Sequence, residues 1–322
     1  MISVLLSLFT ASYLAGRIID TDKQTSLTID VTNGTANGTD TVNDEVFVIV
    51  FEPGKQKQTL KANVDAEGKT VFKNVPRGDD ITALPRVKHQ NMMFNGHPVP
   101  LKTGQTTFKG HVDVYEVSND KSKLSVTVHH FIFDLKAGYL QITEYMRLNN
   151  GSDMAITSEE KDTNNQSKVV EVMLPEGFKN LTCLRYFQEN DLVITKDGFY
   201  DTMAIPPGHY DTEFSYRLDI NSETIDIIKK ISLSTSQFLV FSLLNKGQLK
   251  GLGEPVGEVK LSDGSLAEYF SFPALKAGDQ IKFQVVGFHV KKSNRNVVLT
   301  LSVVFAFIVL LVIRRLISQK HN

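Results

Sequence analysis

The sequence has no tryptophan and only one cysteine, Cys183, in its 322 residues. A single cysteine excludes an intramolecular disulfide framework and any zinc site built from several cysteines. A strong net charge is also missing, because 35 Lys and Arg residues nearly balance 36 Asp and Glu residues. This balance argues against a nucleic-acid partner bound through phosphate neutralisation. The hydrophobic fraction of 41% is enough to fill cores, which excludes wholesale disorder.

Sequence motifs of known catalytic sites are missing as well. The chain contains no Gly-x-Ser-x-Gly, no His-Glu-x-x-His, no Walker loop and no dinucleotide fingerprint. Cys183 lies in the apolar segment LTCLRYF, which favours a buried, inert thiol over a nucleophile. Carboxylate pairs such as Asp79 and Asp80 stand beside turn signals without EF-hand spacing. We therefore expect a protein that is not an enzyme and that holds no cofactor and no metal.

Each end of the sequence carries an apolar run. The run from 4 to 14 is short and fits the core of a signal peptide, predicted over 1–16, although no Lys or Arg precedes it. An uncleaved anchor or a first strand is the alternative. Residues 297–313 form an uncharged apolar run that predicts a transmembrane helix, followed by a cytoplasmic tail over 314–322. We expect a single-pass type I membrane protein whose bulk lies outside the cytoplasm.

The residues between these two runs have the pattern of β-strands. Short stretches of β-branched and aromatic residues alternate with turns rich in Gly, Pro, Asn and Asp. In the stretch 123–133, alternation predicts Val128 and His130 on one face and His129 on the other. Residues 222–230 fit either a short helix or a strand.

The spacing of the turn signals predicts an all-β fold. We expect two tandem antiparallel β-sandwiches, over 24–119 and 123–290, followed by one C-terminal transmembrane helix. The polar segment SNDK at 118–121 separates the two strand-rich blocks.

Two turn motifs in the first block resemble a known module. The sequence Asp65-Ala66-Glu67-Gly68 forms an acidic turn before Phe72, and Asn74-Val75-Pro76-Arg77-Gly78 forms a corner. With these motifs, residues 26–117 resemble the carboxypeptidase-regulatory-like, or transthyretin-like, β-sandwich module. We expect Gly68 and Gly78 to adopt positive φ and Pro76 to fix the corner, since glycine alone takes such φ values at no steric cost.

The resemblance implies a carbohydrate-binding-like sandwich and leaves the activity open, because the module serves accessory, adhesive and ligand-binding roles. The sequence departs from the module after Gly78. The second block contains the segments VTVHHFIFD and EYMRLNNGSD and a turn at Pro206-Pro207-Gly208. With these motifs, residues 123–290 resemble the second β-domain of uncharacterised membrane-anchored bacterial surface proteins.

Two polar segments are the candidate contact loops. The segment 33–43, NGTANGTDTVN, is expected to be a hairpin tip and carries the glycosylation sequons of Asn33 and Asn37. The segment 89–98 is expected to be an irregular loop; it contains two histidines and two methionines, His89, Met92, Met93 and His97. Histidine and methionine can together bind copper, so a soft-metal site is an alternative for this segment.

The sequence supports one leading functional hypothesis and two alternatives. The leading hypothesis is an integral membrane protein that presents β-sandwiches for binding a protein or a glycan. The first alternative is an accessory subunit of a membrane assembly of the secretion, insertion or cytochrome-maturation type. The second is a metal-handling protein that uses the His/Met segment.

Overall fold

The computed structural model describes residues 25–136, 138–243, 248–261 and 264–287. Within these ranges the chain forms 23 strands and two short 3₁₀ turns, and it forms no α-helix. The prediction of an all-β fold is therefore confirmed for this part of the chain. None of its helical turns is long or apolar enough to span a membrane. The predicted signal peptide 1–16, transmembrane helix 297–313 and tail 314–322 lie outside the described residues.

The described residues form two compact units. Unit 1 comprises residues 25–118 with 153–155, and unit 2 comprises residues 119–152 with 156–287. The strands of unit 1 are β1 (Ser26–Asn33), β2 (Glu45–Phe51), β3 (Gln58–Asn63), β4 (Lys69–Lys73), β5 (Thr82–His89), β6 (Met92–Asn95), β7 (Val99–Pro100), β8 (Thr107–Val114) and β9 (Val117–Ser118).

Two sheets build unit 1. The three-stranded sheet has the order β4-β1-β8, in which β1 runs antiparallel to β4 and parallel to β8. The prediction of an antiparallel sandwich is therefore wrong for the pair β1 and β8. The five-stranded sheet has the order β3-β2-β5-β6, with β7 also paired to β5. Strand β2 shows how the sequence fixes the faces: Val46, Val48 and Val50 are buried, and the residues between them are not. This arrangement is consistent with a β-sandwich.

Unit 2 contains the remaining strands, and β12 crosses its boundary with unit 1. They are β10 (Leu124–Lys136), β11 (Tyr139–Asn150), β12 (Ala155–Ile156), β13 (Val170–Met173), β14 (Lys179–Arg185), β15 (Leu192–Thr195), β16 (Gly198–Asp201), β17 (Gly208–Asp219), β18 (Thr224–Lys230), β19 (Thr235–Leu243), β20 (Gln248–Lys250), β21 (Gly257–Lys260), β22 (Leu266–Phe272) and β23 (Gln280–Val286).

One large sheet and two small ones build unit 2. The large sheet has seven strands in the order β14-β17-β11-β10-β19-β22-β21. The small sheets have the orders β13-β16-β15 and β18-β23-β20. Their inward side chains form one core in which aromatic rings meet edge to face, for example Phe131 with Phe133 and with Phe283. Residues 222–230, which the sequence left open, contain strand β18.

The alternation predicted for 123–133 is wrong beyond Val126. A β-bulge between Val126 and Val128 adds one residue to β10 and shifts the phase of the side chains. As a result, His129 is buried on the core side together with Val126, and His130 lies on the other face against Tyr145.

The turn motifs of unit 1 are formed, with one correction. Gly68 has φ +75° and ends a turn in which the Asp65 carboxylate accepts the backbone N–H groups of Glu67 and Lys69. The expectation of a positive φ at Gly78 is wrong, because the left-handed residue of the corner is Asn74, with φ +56°. Asparagine tolerates this conformation better than other side chains do. In unit 2, Gly208 has φ +118° and follows Pro207 at the start of β17.

Both candidate contact loops differ from the sequence interpretation. Segment 33–43 is not a hairpin tip, because it connects β1 to β2 and these strands belong to different sheets. Segment 89–98 is not an irregular loop, because β5 and β6 form a hairpin in which His89 lies opposite Met92. Its two-residue turn, Gln90-Asn91, has positive φ at both positions, as a type I′ turn requires.

Candidate functional site

Four strand ends meet at one end of unit 1. The last residue of β1, Asn33, lies beside the last residue of β8, Val114, because these neighbouring strands are parallel. The first residue of β2, Glu45, lies opposite Lys88 near the end of β5, because these strands are antiparallel. The connection 34–44 starts and ends here, and the turn after β5 is at the same place. Polar side chains from separate parts of the sequence are thereby brought together.

The centre of this polar group is the carboxylate of Glu116, which follows β8. Its Oε1 atom accepts the backbone N–H of Thr39 at 2.6 Å, the Thr39 hydroxyl at 2.7 Å and the Asn33 amide at 3.0 Å. Its Oε2 atom accepts the Gln90 amide. We call Asn33, Thr39, Asp44, His89, Gln90 and Glu116 the Glu116 cluster.

Hydrogen bonds from Thr39 hold the pKa of Glu116 well below its usual value, at about 2. A carboxylate with so low a pKa and with donors on both oxygens is a weak base. It is suited to fixing the connection 34–44 and poorly suited to proton transfer.

The imidazole of His89 lies within the same cluster and is 2% exposed. Its Nδ1 atom is 2.7 Å from Oδ2 of Asp44, and its Nε2 atom is 3.5 Å from Oε1 of Glu116. Burial raises the pKa of Asp44, while the contact with His89 opposes this shift. His89 thus lies between a carboxylate from the start of β2 and one that follows β8.

The connection 34–44 is tied at a second point. The hydroxyl of Thr35 donates to the backbone carbonyl of Asp153 at 2.8 Å, and Asp153 in turn accepts the backbone N–H of Ala36 at 3.2 Å. At and next to these ties the side chains of Ala36, Asn37 and Asp40 are exposed. The connection therefore has a fixed backbone and an accessible outer surface.

The structure separates the residues that sequence reasoning grouped together. Asn33 and His89 face into the Glu116 cluster, whereas Asn37 is exposed on the connection. Met92 and Met93 lie in β6 and are partly buried, and His97 is exposed after β6.

Nδ1 of His89 contacts Asp44, so the geometry gives no support to copper bound by histidine and methionine. No three His, Cys, Asp or Glu side chains in the described ranges are arranged to hold a metal ion.

Cys183 is half-buried on β14, at the edge of the large sheet of unit 2. Burial raises the pKa of its thiol to about 11. Little of the reactive thiolate is present at neutral pH with such a pKa. The geometry is that of a structural thiol.

Sequence reasoning missed a buried polar network in unit 2. The carboxylate of Glu144, which is fully buried, accepts Nε2–H of His129 at 2.7 Å and the Tyr216 hydroxyl at 2.7 Å. Nζ of Lys229, 1% exposed, lies 2.7 Å from the same carboxylate and donates to the carbonyl of Met173 at 2.8 Å. The sequence did contain a signal of this network, because Glu144 alternates with Ile142 and Met146 on the buried face of β11.

The charges in this network balance. Burial raises the pKa of Glu144, but the Lys229 ammonium and the His129 hydrogen bond outweigh it, so the pKa lies below its usual value. Burial lowers the pKa of His129, which keeps the imidazole neutral. Burial also lowers the pKa of Lys229, but the Glu144 carboxylate opposes this shift and favours the ammonium. A carboxylate–ammonium pair with neutral donors around it is what a buried ion pair requires. We call Glu144, His129, Lys229 and Tyr216 the Glu144 network.

Comparisons with known proteins give no family for this chain. No protein family matches it, and no curated protein matches it. Among solved structures it is similar to the full-length major pilin SpaD from Corynebacterium diphtheriae, with 9% identity and a TM-score of 0.22, covering 84% of this chain and 89% of that one.

It is also similar to the full-length pilus protein RrgB from Streptococcus pneumoniae, with 10% identity and a TM-score of 0.20. That match covers 83% of this chain and 62% of the RrgB chain. At TM-scores this low, neither likeness bears on the function of this chain.

Proposed function

We propose that this chain is a non-enzymatic membrane protein that presents two tandem β-sandwiches outside the cytoplasm and binds a protein or a glycan through unit 1. The apolar runs at 4–14 and 297–313 support export and anchoring. The two-sheet arrangement of unit 1 and the turn at Gly68 support the carboxypeptidase-regulatory-like assignment. The outer surface of the connection 34–44 is the binding surface.

The observation that carries this proposal is the fixed backbone of an exposed connection. The Glu116 carboxylate accepts hydrogen bonds from Thr39 and from Asn33, which precedes the connection. The Asp153 carboxylate accepts the backbone N–H of Ala36. A loop that is ordered before binding loses little conformational entropy when a partner arrives. Loops held on a rigid β-scaffold are common recognition elements for this reason.

The exposed side chains on this surface suit polar recognition. Asn37 offers an amide donor and acceptor, and Asp40 offers a carboxylate. Such groups form hydrogen bonds with the polar rim of a protein surface or with the hydroxyl groups of a glycan. The first experiment therefore screens both partner classes, by mass spectrometry of proteins captured with the full chain from its native membranes and by a glycan array.

A matched pair of charge-reversal variants then tests the surface. Asp40→Arg changes the connection, whereas Asp80→Arg changes another exposed residue, which precedes the opposite end of β5, a strand about 23 Å long. We expect Asp40→Arg to lose at least about tenfold in affinity for the partner, a difference of about 1.4 kcal/mol. Asp80→Arg is expected to bind like the unaltered chain.

Equal binding by both variants would contradict a recognition role for the connection 34–44. Equal loss in both variants would do the same, because it would indicate long-range charge effects in place of a local contact. Circular dichroism of both variants establishes that each is folded.

A further inference from the structure

Strand β21 is one of the two edge strands of the seven-stranded sheet of unit 2. It pairs with β22 on one side, and Glu258 lies opposite Glu268 while Lys260 lies opposite Leu266. Within the described residues no strand pairs with its other side. An open edge of this kind exposes backbone N–H and C=O groups that can pair with another strand.

The backbone groups that face the open side belong to Glu258 and Lys260. The N–H of Leu261 donates to the carbonyl of Ser265 at 2.8 Å, on the β22 side. Because hydrogen-bonding direction alternates along an antiparallel strand, Val259 also faces β22. Glu258 and Lys260 therefore direct both of their backbone groups away from the sheet.

The side chains at this edge are charged and complementary to themselves. Glu258 and Lys260 are both exposed and stand two residues apart on one face, with Val259 between them. If a second β21 approaches antiparallel with the two-fold axis at Val259, each Glu258 comes opposite a Lys260. The same register makes each Glu258–Lys260 pair exchange both of its backbone hydrogen bonds. Backbone and side chains thus favour the same register.

A like-charge contact within the chain adds to this argument. Glu258 lies directly opposite Glu268 on β22, and like charges in that position destabilise a strand pair. A lysine arriving from the open side of β21 places a positive charge beside Glu258. Apolar surface is exposed beside this edge, because Val256, just before β21, is 60% exposed and Leu266, opposite Lys260 on β22, is 54% exposed.

We infer that β21 is an interface for a second copy of this chain, which pairs antiparallel with it about Val259. The resulting dimer is isologous, since the same residues contribute from both copies. It joins two seven-stranded sheets edge to edge. The interface is one short strand on each side, so the dimer is weak and its population depends on protein concentration.

Charge reversal tests this register directly. Glu258→Lys gives a chain with lysine at both positions, and Lys260→Glu gives a chain with glutamate at both positions. The full chain and its variants are compared in mild detergent by sedimentation and by light scattering over a concentration series. Glu176→Lys is the control, because Glu176 is an exposed residue away from β21 and its replacement changes the net charge as Glu258→Lys does.

We expect the unaltered chain and the Glu176→Lys control to dimerise alike. Each single variant at β21 is expected to raise the dissociation constant about tenfold or more, because both ion pairs become repulsive contacts. Mixing the two single variants is expected to restore dimers that contain one of each, which differently tagged copies reveal by co-purification. The double variant Glu258→Lys with Lys260→Glu is expected to dimerise with itself.

Two outcomes would overturn the inference. One is an unaltered chain that stays monomeric at the highest concentration reached. The other is a set of single variants that dimerise as well as the unaltered chain, which would place any association at a different surface. Circular dichroism confirms folding in every variant, so a loss of dimer cannot be attributed to an unfolded chain.

Discussion

At the scale of single residues, Glu116 is one of the two groups that fix the connection 34–44, through its hydrogen bonds from Thr39. Its pKa of about 2 in the folded chain lies below the value of 4.5 expected without these contacts. A depressed folded pKa means that the ionised carboxylate stabilises the fold above about pH 4.5, and this contribution is lost as the pH falls towards about 2. The stability that Glu116 contributes therefore changes with pH between about pH 4.5 and about pH 2.

Replacing Glu116 with glutamine tests this dependence. At neutral pH we expect Glu116→Gln to lower the free energy of unfolding of unit 1 by about 1–2 kcal/mol, because charged hydrogen bonds are replaced by neutral ones. Urea unfolding followed by circular dichroism measures the change. Near pH 2 the difference from the unaltered chain should nearly vanish, since Glu116 is then protonated. A difference of the same size at both pH values would contradict the role given to this carboxylate.

Some residues of the site could be predicted from the sequence, and others could not. His89 was a candidate binding residue because imidazole can bind metals and form hydrogen bonds. Its burial could also be predicted, because it continues the alternation of Ala83, Pro85 and Val87 to the end of β5. Glu116 carried no local signal, because its partners are distant in the sequence. Thr39, for example, is 77 residues away. Such convergence depends on the parallel pairing of β1 with β8, which no local pattern encodes.

At the scale of elements, the Glu144 network, together with the Met173 carbonyl that it binds, joins strands of three different sheets. Glu144 lies on β11 of the large sheet, Lys229 on β18 and the carbonyl of Met173 on β13. A buried ion pair is costly to break on one side, because the remaining charge has no partner in the core. The network therefore fixes how these sheets pack within unit 2.

A double-mutant cycle tests this role. We expect Lys229→Met alone to destabilise unit 2 by about 3–5 kcal/mol, because it leaves the Glu144 carboxylate without its ammonium. Adding Glu144→Gln to Lys229→Met should recover part of that loss, since no buried charge then remains. Urea unfolding of the single and double variants gives the coupling energy. Strictly additive losses would show that Glu144 and Lys229 do not act as a pair.

Strands were predictable from the sequence where alternation and turn residues agree. Strand β2 is an example, with its valines inward and glycine and proline just beyond its end. The prediction of alternation was wrong in β10, because a bulge changes the phase without changing the composition. The prediction of a hairpin tip over 33–43 is wrong because polar turn residues indicate a reversal but do not indicate which sheet receives the next strand.

At the scale of the whole molecule, composition and turn spacing were enough to predict an all-β chain. The many short β-branched stretches and the frequent glycine turns led to that prediction, and the described residues confirm it. The assignment to a membrane depends on the apolar runs at 4–14 and 297–313, which lie outside those residues. It stays a prediction, and the binding role proposed for unit 1 is built on it.

The most direct test of that role is photo-crosslinking of the full chain in its native membrane. A photoreactive amino acid replaces Asn37 on the connection 34–44 or, as the control, Asp80 at the opposite end of β5. Immunoblotting and mass spectrometry then identify any adduct. If the connection 34–44 is the binding surface, we expect a discrete adduct with a partner protein or glycan from position 37 and none from position 80. Adducts of equal yield from both positions, or an adduct from position 80 alone, would contradict it.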